Sequence, residues 1–270
     1  NFGADLTVIE ESKEFIERLE SGENLPLFTS CCPAWVKFAE TYFPEMLPNI
    51  STAKSPISMQ GPTIKTYFAK KMGIDPKKIV NVALTPCTAK KFEIRRKEMN
   101  AAGKNLGIPE MRDMDYVVTT RELALWAKES GIDFASLPDS DYDRLMGEAS
   151  GAGVIFGNTG GVMEAALRTA YEVITGEELA DVNFTAVRGV EGVKEATVKV
   201  GDLDVNVAVA HGTANAAKLL DSVRSGEKTY HFIEVMGCPG GCIAGGGQPI
   251  VRSCFLPNED DDIQDTFRAK

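Results

Sequence analysis

Cysteine in this chain stands almost only where a strand-like run gives way to a Pro- or Gly-rich turn, and the pattern recurs in three well-separated segments. These read Thr29-Ser30-Cys31-Cys32-Pro33-Ala34-Trp35, then Thr85-Pro86-Cys87-Thr88-Ala89-Lys90-Lys91-Phe92-Glu93, then Glu234-Val235-Met236-Gly237-Cys238-Pro239-Gly240-Gly241-Cys242. The third runs on as Ile243-Ala244-Gly245-Gly246-Gly247-Gln248-Pro249, and only Cys254 of the six cysteines lies outside them. Such turns expose backbone N–H groups and dispense with Cβ atoms, so the chain can wrap closely around an inorganic cluster. A 4Fe-4S cluster needs four thiolates, which this set can supply. A single buried cysteine is more often a small inert hydrophobe, but five in turns on separate elements point away from that reading.

The same arithmetic removes other metal chemistry. No cysteine pair has the C-x-x-C spacing of zinc ribbons or thioredoxin-like redox sites, and His211 and His231 are the only histidines. Six cysteines in 270 residues are too few for a disulfide scaffold. Cys32 and Cys87 stand 55 positions apart, so the site has to be assembled by the tertiary fold and not by a local ferredoxin-like run.

Helix-period and strand-like runs alternate, which predicts an α/β fold. A helix is expected from Leu6 to Leu19, with Val8, Ile9, Phe15, Ile16 and Leu19 as its apolar stripe and Gly22 as its stop. Strands are expected at 25–29, Ile79–Leu84 and Tyr116–Thr119, the last followed by a helix from Arg121 to Lys128. A second set begins near Gly151: a strand at Val154-Ile155-Phe156, a helix Val162–Ile174, a hairpin of 196–200 with 205–209, a helix Ala214–Val223 and a strand Tyr230–Met236. The region 136–147 is the expected seam between a first lobe, 1–145, and a second, 146–270. Cysteines then fall at the ends of strands from both lobes, where open α/β sheets place ligands.

Thirty-nine acidic against 29 basic residues leave a formal charge of −10 and no Lys/Arg stripe to track phosphates, which argues against nucleic acid as a partner. The apolar runs are strand length, well short of the ~20 residues of a membrane span. The chain opens on Asn1, without Met or a recognisable address, and so reads as a piece of a longer polypeptide.

The three cysteine segments resemble, in order and interval, the three signature motifs of the FeFe-hydrogenases. The likeness extends through Phe2-Gly3-Ala4-Asp5, Ala53-Lys54-Ser55-Pro56, Thr119-Thr120-Arg121-Glu122-Leu123 and 151–169, and so covers nearly the whole chain to about Pro249. It implies two lobes of mainly parallel sheet flanked by helices, with the metal cofactor in the cleft between them. It also implies that the start and the C-terminal end of the usual catalytic domain lie outside this sequence.

The implied activity is reversible oxidation of dihydrogen to protons and electrons at an H-cluster: a 4Fe-4S cubane joined through a cysteine sulfur to a diiron unit with CO, cyanide and azadithiolate ligands. Carried over motif by motif, Cys32, Cys87, Cys238 and Cys242 would ligate the cubane, with Cys242 as the bridge. Cys31 would be the last proton relay, with Glu11, Ser51 and Glu14 behind it. Glu11 and Glu14 are three apart on the expected first helix and can share a face. The plain alternative for Glu14 is a solvated pair with Arg18. Lys90 would donate to a cyanide, with Glu93 behind it, while Lys91 suits a surface lysine. Ser55, Pro56, Thr85, Pro86, Phe156, Gly157 and Met236 would line the cofactor pocket, although Phe156 and Met236 fit ordinary core equally well. Partners implied are a ferredoxin or ferredoxin-like Fe–S domains or subunits, and maturation proteins for the diiron unit; a cytoplasmic location is expected.

Three positions depart from the family pattern. Thr85 stands where many members have Met, Ile57 where many have Gln, and Gly237 where many have Ala. These changes predict altered catalytic bias, oxygen response or potential. They also leave open a hydrogen sensor, or an iron–sulfur protein of the same fold with little turnover. The related assembly proteins lack the diiron unit, and the intact 29–35 segment with Cys31 and Lys90 argues against them. A dinucleotide-binding dehydrogenase is weak, because Gly151-Ala152-Gly153 lacks the third glycine spacing. Cys254 and the acidic run Glu259–Asp262 read as a surface thiol and a solvated linker.

Overall fold

A computed structural model describes residues 2–178, 192–201 and 203–249; Cys254 and Glu259–Asp262 lie outside the described residues. In chain order the elements used below are α1 (Phe2–Ser21), β1 (Leu27–Phe28), α2 (Pro33–Tyr42), α3 (Pro56–Thr63), α4 (Ala69–Met72), β2 (Val82–Thr85), α5 (Lys90–Glu93), α6 (Ala101–Leu106), β3 (Tyr116–Thr119), α7 (Thr120–Glu129), α8 (Gly151–Ile155), α9 (Gly161–Thr175), β4 (Val193–Val200), β5 (Leu203–His211), α10 (Thr213–Arg224) and β6 (Phe232–Met236). The α/β expectation holds.

The chain divides into two compact units, and neither is contiguous: residues 2–59 with 149–242, and residues 60–148 with 243–249. The crossing at 148/149 falls next to the expected seam, but the division into 1–145 and 146–270 does not describe these units. The physical reason is β1. Leu27 and Phe28 pair in parallel with Phe232 and Ile233 of β6, which draws the N-terminal residues into the same sheet as the far end of the chain.

In the first unit the sheet order is β1-β6-β5-β4. Both pairs involving β6 are parallel, whereas β4 and β5 form an antiparallel hairpin. Every residue of β6 is buried, as expected of an interior parallel strand, and one of them is a glutamate, Glu234. Helix α1 packs along α9 and turns Ala4, Thr7, Val8, Glu11, Phe15 and Arg18 inward, a stripe at spacings of three and four. Glu11 therefore occupies a core position between Val8 and Phe15, while Ile9 is exposed and lies off the stripe.

Val154-Ile155-Phe156, expected as a strand, is the end of α8 and its C-cap. The Ser150 hydroxyl accepts from the Ala152 N–H at 3.1 Å, and Asp5 of α1 accepts from the Ser150 N–H (2.8 Å) and the Gly153 N–H (3.1 Å). Three apolar residues carry no period of their own, so the cap and the Asp5 carboxylate decide the conformation.

The second unit centres on the parallel pair β2–β3, in register from Val82↔Tyr116 to Thr85↔Thr119. Helix α7 starts from β3 in a capping box, Thr119 with Glu122, which satisfies two of its first N–H groups.

Phe15 of α1 is fully buried and stacks on Phe232 of β6 with ring centroids 4.8 Å apart. Phe15→Ala is expected to destabilise the protein by about 3–5 kcal/mol, measured by denaturant unfolding, because truncation leaves a cavity beneath the strand that carries the third cysteine segment.

Candidate functional site

The two cysteine loops of the first unit are stitched together where β1 and β6 end. The Thr29 N–H donates to the Ile233 carbonyl at 3.0 Å, the Val235 N–H to the Thr29 hydroxyl at 3.1 Å, and the Gly237 N–H to Cys32 Sγ at 3.2 Å. Trp35, almost wholly buried, donates from its indole to the Thr29 carbonyl at 3.0 Å and so fixes the loop from below. Cys32 is the N-cap residue of α2 and Pro33 follows inside the first turn, where a missing N–H costs nothing. A Cβ added at Gly237 would sit 3.2 Å from Cys32 Sγ and 3.1 Å from Ala34 Cβ, so glycine here permits the N–H···S contact without crowding.

The turn from Cys238 to Cys242 is closed by its own backbone and by residues 157–160. Gly240 and Gly241 have φ of 76° and 101°, the left-handed region that favours glycine. The Gly241 N–H donates to the Cys238 carbonyl and the Thr159 N–H to the Gly240 carbonyl, both at 3.1 Å. A Cβ at Gly241 would lie 2.6 Å from both the Gly157 carbonyl oxygen and the Thr159 nitrogen. Gly157 thus meets the cysteine turn through backbone, and Phe156 and Met236 are buried in the adjoining core.

Behind Cys31, which is buried, the structure brings Glu11, Ser51 and Glu14 together. Ser51 donates its hydroxyl to Glu14 Oε2 at 2.8 Å, and the Thr52 N–H reaches the same oxygen at 2.8 Å. Glu11 Oε1 accepts from the N–H of Ser30, the residue before Cys31, at 3.3 Å, and its Oε2 is buried without a hydrogen-bond partner. Burial pushes the Glu11 carboxyl up to about 8; the Ser30 N–H and the Ser51 hydroxyl pull it down, and the Glu14 and Glu234 charges add to the rise. A buried carboxyl raised to about 8 thus stands next to a hydroxyl that also meets a second acid.

Glu14 makes two separate contacts at once. Its Oε1 pairs with Arg18 at 2.6 Å while Oε2 serves Ser51. Arg18 is buried, not solvated, and also donates to the carbonyls of Asn24 (2.9 Å) and Asn49 (3.0 Å), so it fixes the outer acid of the line.

Cys87 belongs to the second unit. The Thr85 hydroxyl accepts from the Cys87 N–H at 3.0 Å and lies 3.0 Å from the Cys87 carbonyl oxygen, which it can serve as donor, a local turn that a thioether cannot make. Pro86 is braced through its carbonyl by the Gly247 N–H at 2.7 Å. Lys90 and Glu93 form a buried ion pair at 2.6 Å, whereas Lys91 faces outward to Glu122. That contact and the Thr119 groups hold the exposed Glu122 down to about 2, the Lys91 contribution being largest. Ser55 is buried, and Pro56 and Ile57 are half-buried at the start of α3.

Sequence reasoning missed Glu234. It is fully buried, and its two oxygens accept from the N–H groups of Gly160 and Met163 at 2.7 Å each. Burial raises its carboxyl to about 7 against those N–H groups and that of Val162, which lower it. Its place within a strongly apolar strand was the available signal. Among the described residues no three His, Cys, Asp or Glu side chains converge on one ion-sized site. The chemistry present fits a larger sulfur-bound cluster instead: thiols in Pro- and Gly-rich loops and an N–H aimed at Cys32 Sγ.

The chain matches the family model described as iron only hydrogenase large subunit, C-terminal domain, over residues 1–246. It is 54% identical over 252 residues to the periplasmic [Fe] hydrogenase large subunit of Nitratidesulfovibrio vulgaris, covering 93% of this chain and 58% of that relative. Its fold superposes with a TM-score of 0.82, at 39% identity, on a variant of apo [FeFe]-hydrogenase HydA1 from Chlamydomonas reinhardtii, covering 99% of this chain and 71% of the other. A structure described in terms of oxygen inactivation of an [FeFe]-hydrogenase through its H cluster 2Fe subcluster matches with a TM-score of 0.81 at 40% identity, over 99% of this chain and 72% of that one. Similarity falls to 33% over 255 residues for cytosolic iron-sulfur assembly component 3 of Rattus norvegicus, covering 92% of this chain and 52% of that protein. The chain thus spans a little over half the length of these curated relatives.

Glu11 yields a pH-dependent prediction. A carboxyl raised from 4.5 to about 8 keeps its proton in the fold while the unfolded chain releases it. Its contribution is therefore complete below pH 4.5 and is lost as pH rises towards 8, at about 1.4 kcal/mol per pH unit. In urea unfolding at pH 5, 6.5 and 8, Glu11→Gln should gain on the wild type at each step; parallel profiles would mean that Glu11 is ionised in the fold.

Proposed function

The chain belongs to the iron-only hydrogenase large-subunit family, and on that footing we propose that it carries the catalytic cofactor of an enzyme that interconverts dihydrogen with protons and electrons. The observation that carries this reading is the line Glu14–Ser51–Glu11, which runs from a solvent-accessible acid to a buried one beside Ser30 and Cys31, in the loop whose next sulfur takes the Gly237 N–H. Bound there, an H-cluster would supply the redox chemistry at iron. The chain supplies ligands, proton delivery and exclusion of water.

In this reading Cys32, Cys87, Cys238 and Cys242 hold the cubane, with Cys242 as the bridge to the diiron unit. Cys31 passes the proton at the cofactor; Glu11 reloads it, Ser51 turns between the two acids, and Glu14 takes protons from outside. Arg18 keeps Glu14 oriented toward Ser51. Lys90 is held by Glu93 and directs its ammonium to a cyanide ligand, while Ser55, Pro56, Thr85, Pro86, Phe156, Gly157 and Met236 line the pocket. The electron partner is a ferredoxin-type Fe–S protein or domain, and maturation proteins deliver the diiron unit.

A second reading, a hydrogen-responsive protein of low turnover, draws on Thr85 and Gly237. The Thr85 hydroxyl holds the Cys87 turn, and glycine at 237 relaxes the contact with Cys32 Sγ. The iron–sulfur assembly reading has less support, because sequence identity is 33% there and 54% to the hydrogenase subunit.

The test is infrared spectroscopy of anaerobic protein supplied with the cubane and a synthetic diiron dithiolate. CO and cyanide bands that shift under dihydrogen are expected, and a cubane without such bands would overturn the hydrogenase reading. Cys31→Ala should keep the bands and lose turnover by at least ~100-fold, the scale of a lost proton relay. Thr85→Met should shift the cubane potential or the bands; unchanged values would remove Thr85 from the tuning argument. Turnover near that of an efficient hydrogenase excludes the sensor reading.

A further inference from the structure

Helix α9 begins without a side-chain cap of its own, since its N-cap residue is Gly160, at φ 83°. The first N–H groups of a helix need partners, and here they come from the neighbouring sheet. Glu234, four positions before Cys238 in β6, takes the Gly160 N–H on one carboxylate oxygen and the Met163 N–H on the other, both at 2.7 Å. A carboxylate at the positive end of a 15-residue helix is electrostatically favoured.

The segment so fixed, 157–160, is also the one that closes the cysteine turn. The Thr159 N–H donates to the Gly240 carbonyl at 3.1 Å, Asn158 and Gly241 form an antiparallel bridge, and Gly241 approaches Gly157 and Thr159 too closely for any Cβ. Residues 157–160 are thus tied to the third cysteine segment twice, before Cys238 through Glu234 and after it through Gly240 and Gly241. Cys238 lies inside this closed ring and Cys242 adjoins it.

We propose that Glu234 is a positioning residue for Cys238 and Cys242: its two oxygens set the segment against which the turn carrying both cysteines closes. The proposal rests on reading these cysteines as cubane ligands. A cap serving only helix stability would leave the electronic properties of a bound cubane unchanged, whereas a positioning residue changes them.

The variants are Glu234→Gln, which keeps one acceptor and turns an NH₂ towards the other N–H, and Glu234→Asp, which keeps the charge but is one methylene too short to span both amides. Wild type and variants are reconstituted with ferrous iron and sulfide to the cubane alone. Both folded variants should bind it with a shifted midpoint potential and altered electron paramagnetic resonance g values. Wild-type potential and spectrum in both would overturn the proposal.

Amide hydrogen exchange separates this from failure of the functional reading. In cluster-free protein Glu234→Gln should speed exchange at Thr159 and Gly241 by at least tenfold, and unchanged rates there overturn the clamp. A wild type that takes up no cubane while this acceleration is seen sinks the ligand reading and leaves the clamp standing. Should neither variant fold, cubane loading of the wild type should raise protection at Gly160 and Met163 together with the turn; a rise confined to residues 238–242 overturns the proposal.

Discussion

A strand of two residues holds the chemistry of the first unit in place. Leu27 and Phe28 pair with Phe232 and Ile233, and because the pairing is parallel, both strands end on the same side. The loops that follow therefore leave the sheet together and continue bonding beyond it, through Thr29 to Ile233 and Val235 and through Cys32 to Gly237. Four backbone groups that would otherwise need water are satisfied within the loops, so the sulfur of Cys32 is fixed as firmly as the strands are. Helix α1 joins the same frame through the Phe15–Phe232 stack and through the Glu11 carboxylate on the Ser30 N–H. The Cys31–Cys32 loop and the glycine turn after β6 both depend on one short register.

Two of the buried carboxylates of this unit, Glu234 and Glu11, differ in how they are compensated. Glu234 faces three backbone N–H groups and rises to about 7, whereas Glu11, with the Ser30 N–H and the Ser51 hydroxyl, rises further, to about 8. Desolvation drives both upward against the donors each accepts from, and at Glu11 the Glu14 and Glu234 charges add to the rise. The better-satisfied acid is built into a strand and a helix start, as suits a fixed element. The less satisfied one lies beside a hydroxyl that is itself bonded to Glu14 and to the Ala53 N–H.

Much of this was legible in the sequence, for reasons that can be named. The cysteine segments announce themselves by residue type, since Pro and Gly beside cysteine have few other uses at the ends of strands. Lys90 and Lys91 separate in burial as expected, because residues one apart on a helix cannot share a face. What stayed hidden was set by distant parts of the chain. The helical state of 151–155 depends on Asp5, the division into units depends on β1 finding β6, and Glu234 gains its partners from the start of α9. Glu14 shows the limit of choosing between alternatives, since one of its oxygens pairs with Arg18 and the other takes the Ser51 hydroxyl. Local pattern reports what a residue can do; which neighbours it meets is decided by long-range pairing.

The pairing of β1 with β6 also has a temporal side. On a ribosome adding ~5–20 residues per second, Phe28 emerges roughly 10–40 s before Ile233. Throughout that interval β1 has no partner, and Cys31 and Cys32 sit on an unanchored loop as exposed thiols. The sheet that would shelter them cannot close until β6 has been made. Until then Cys32 lacks the Gly237 N–H, and both thiols of the first cysteine pair lack the buried surroundings that the folded loop gives them; a reducing environment or a shielding protein would keep them reduced while synthesis continues.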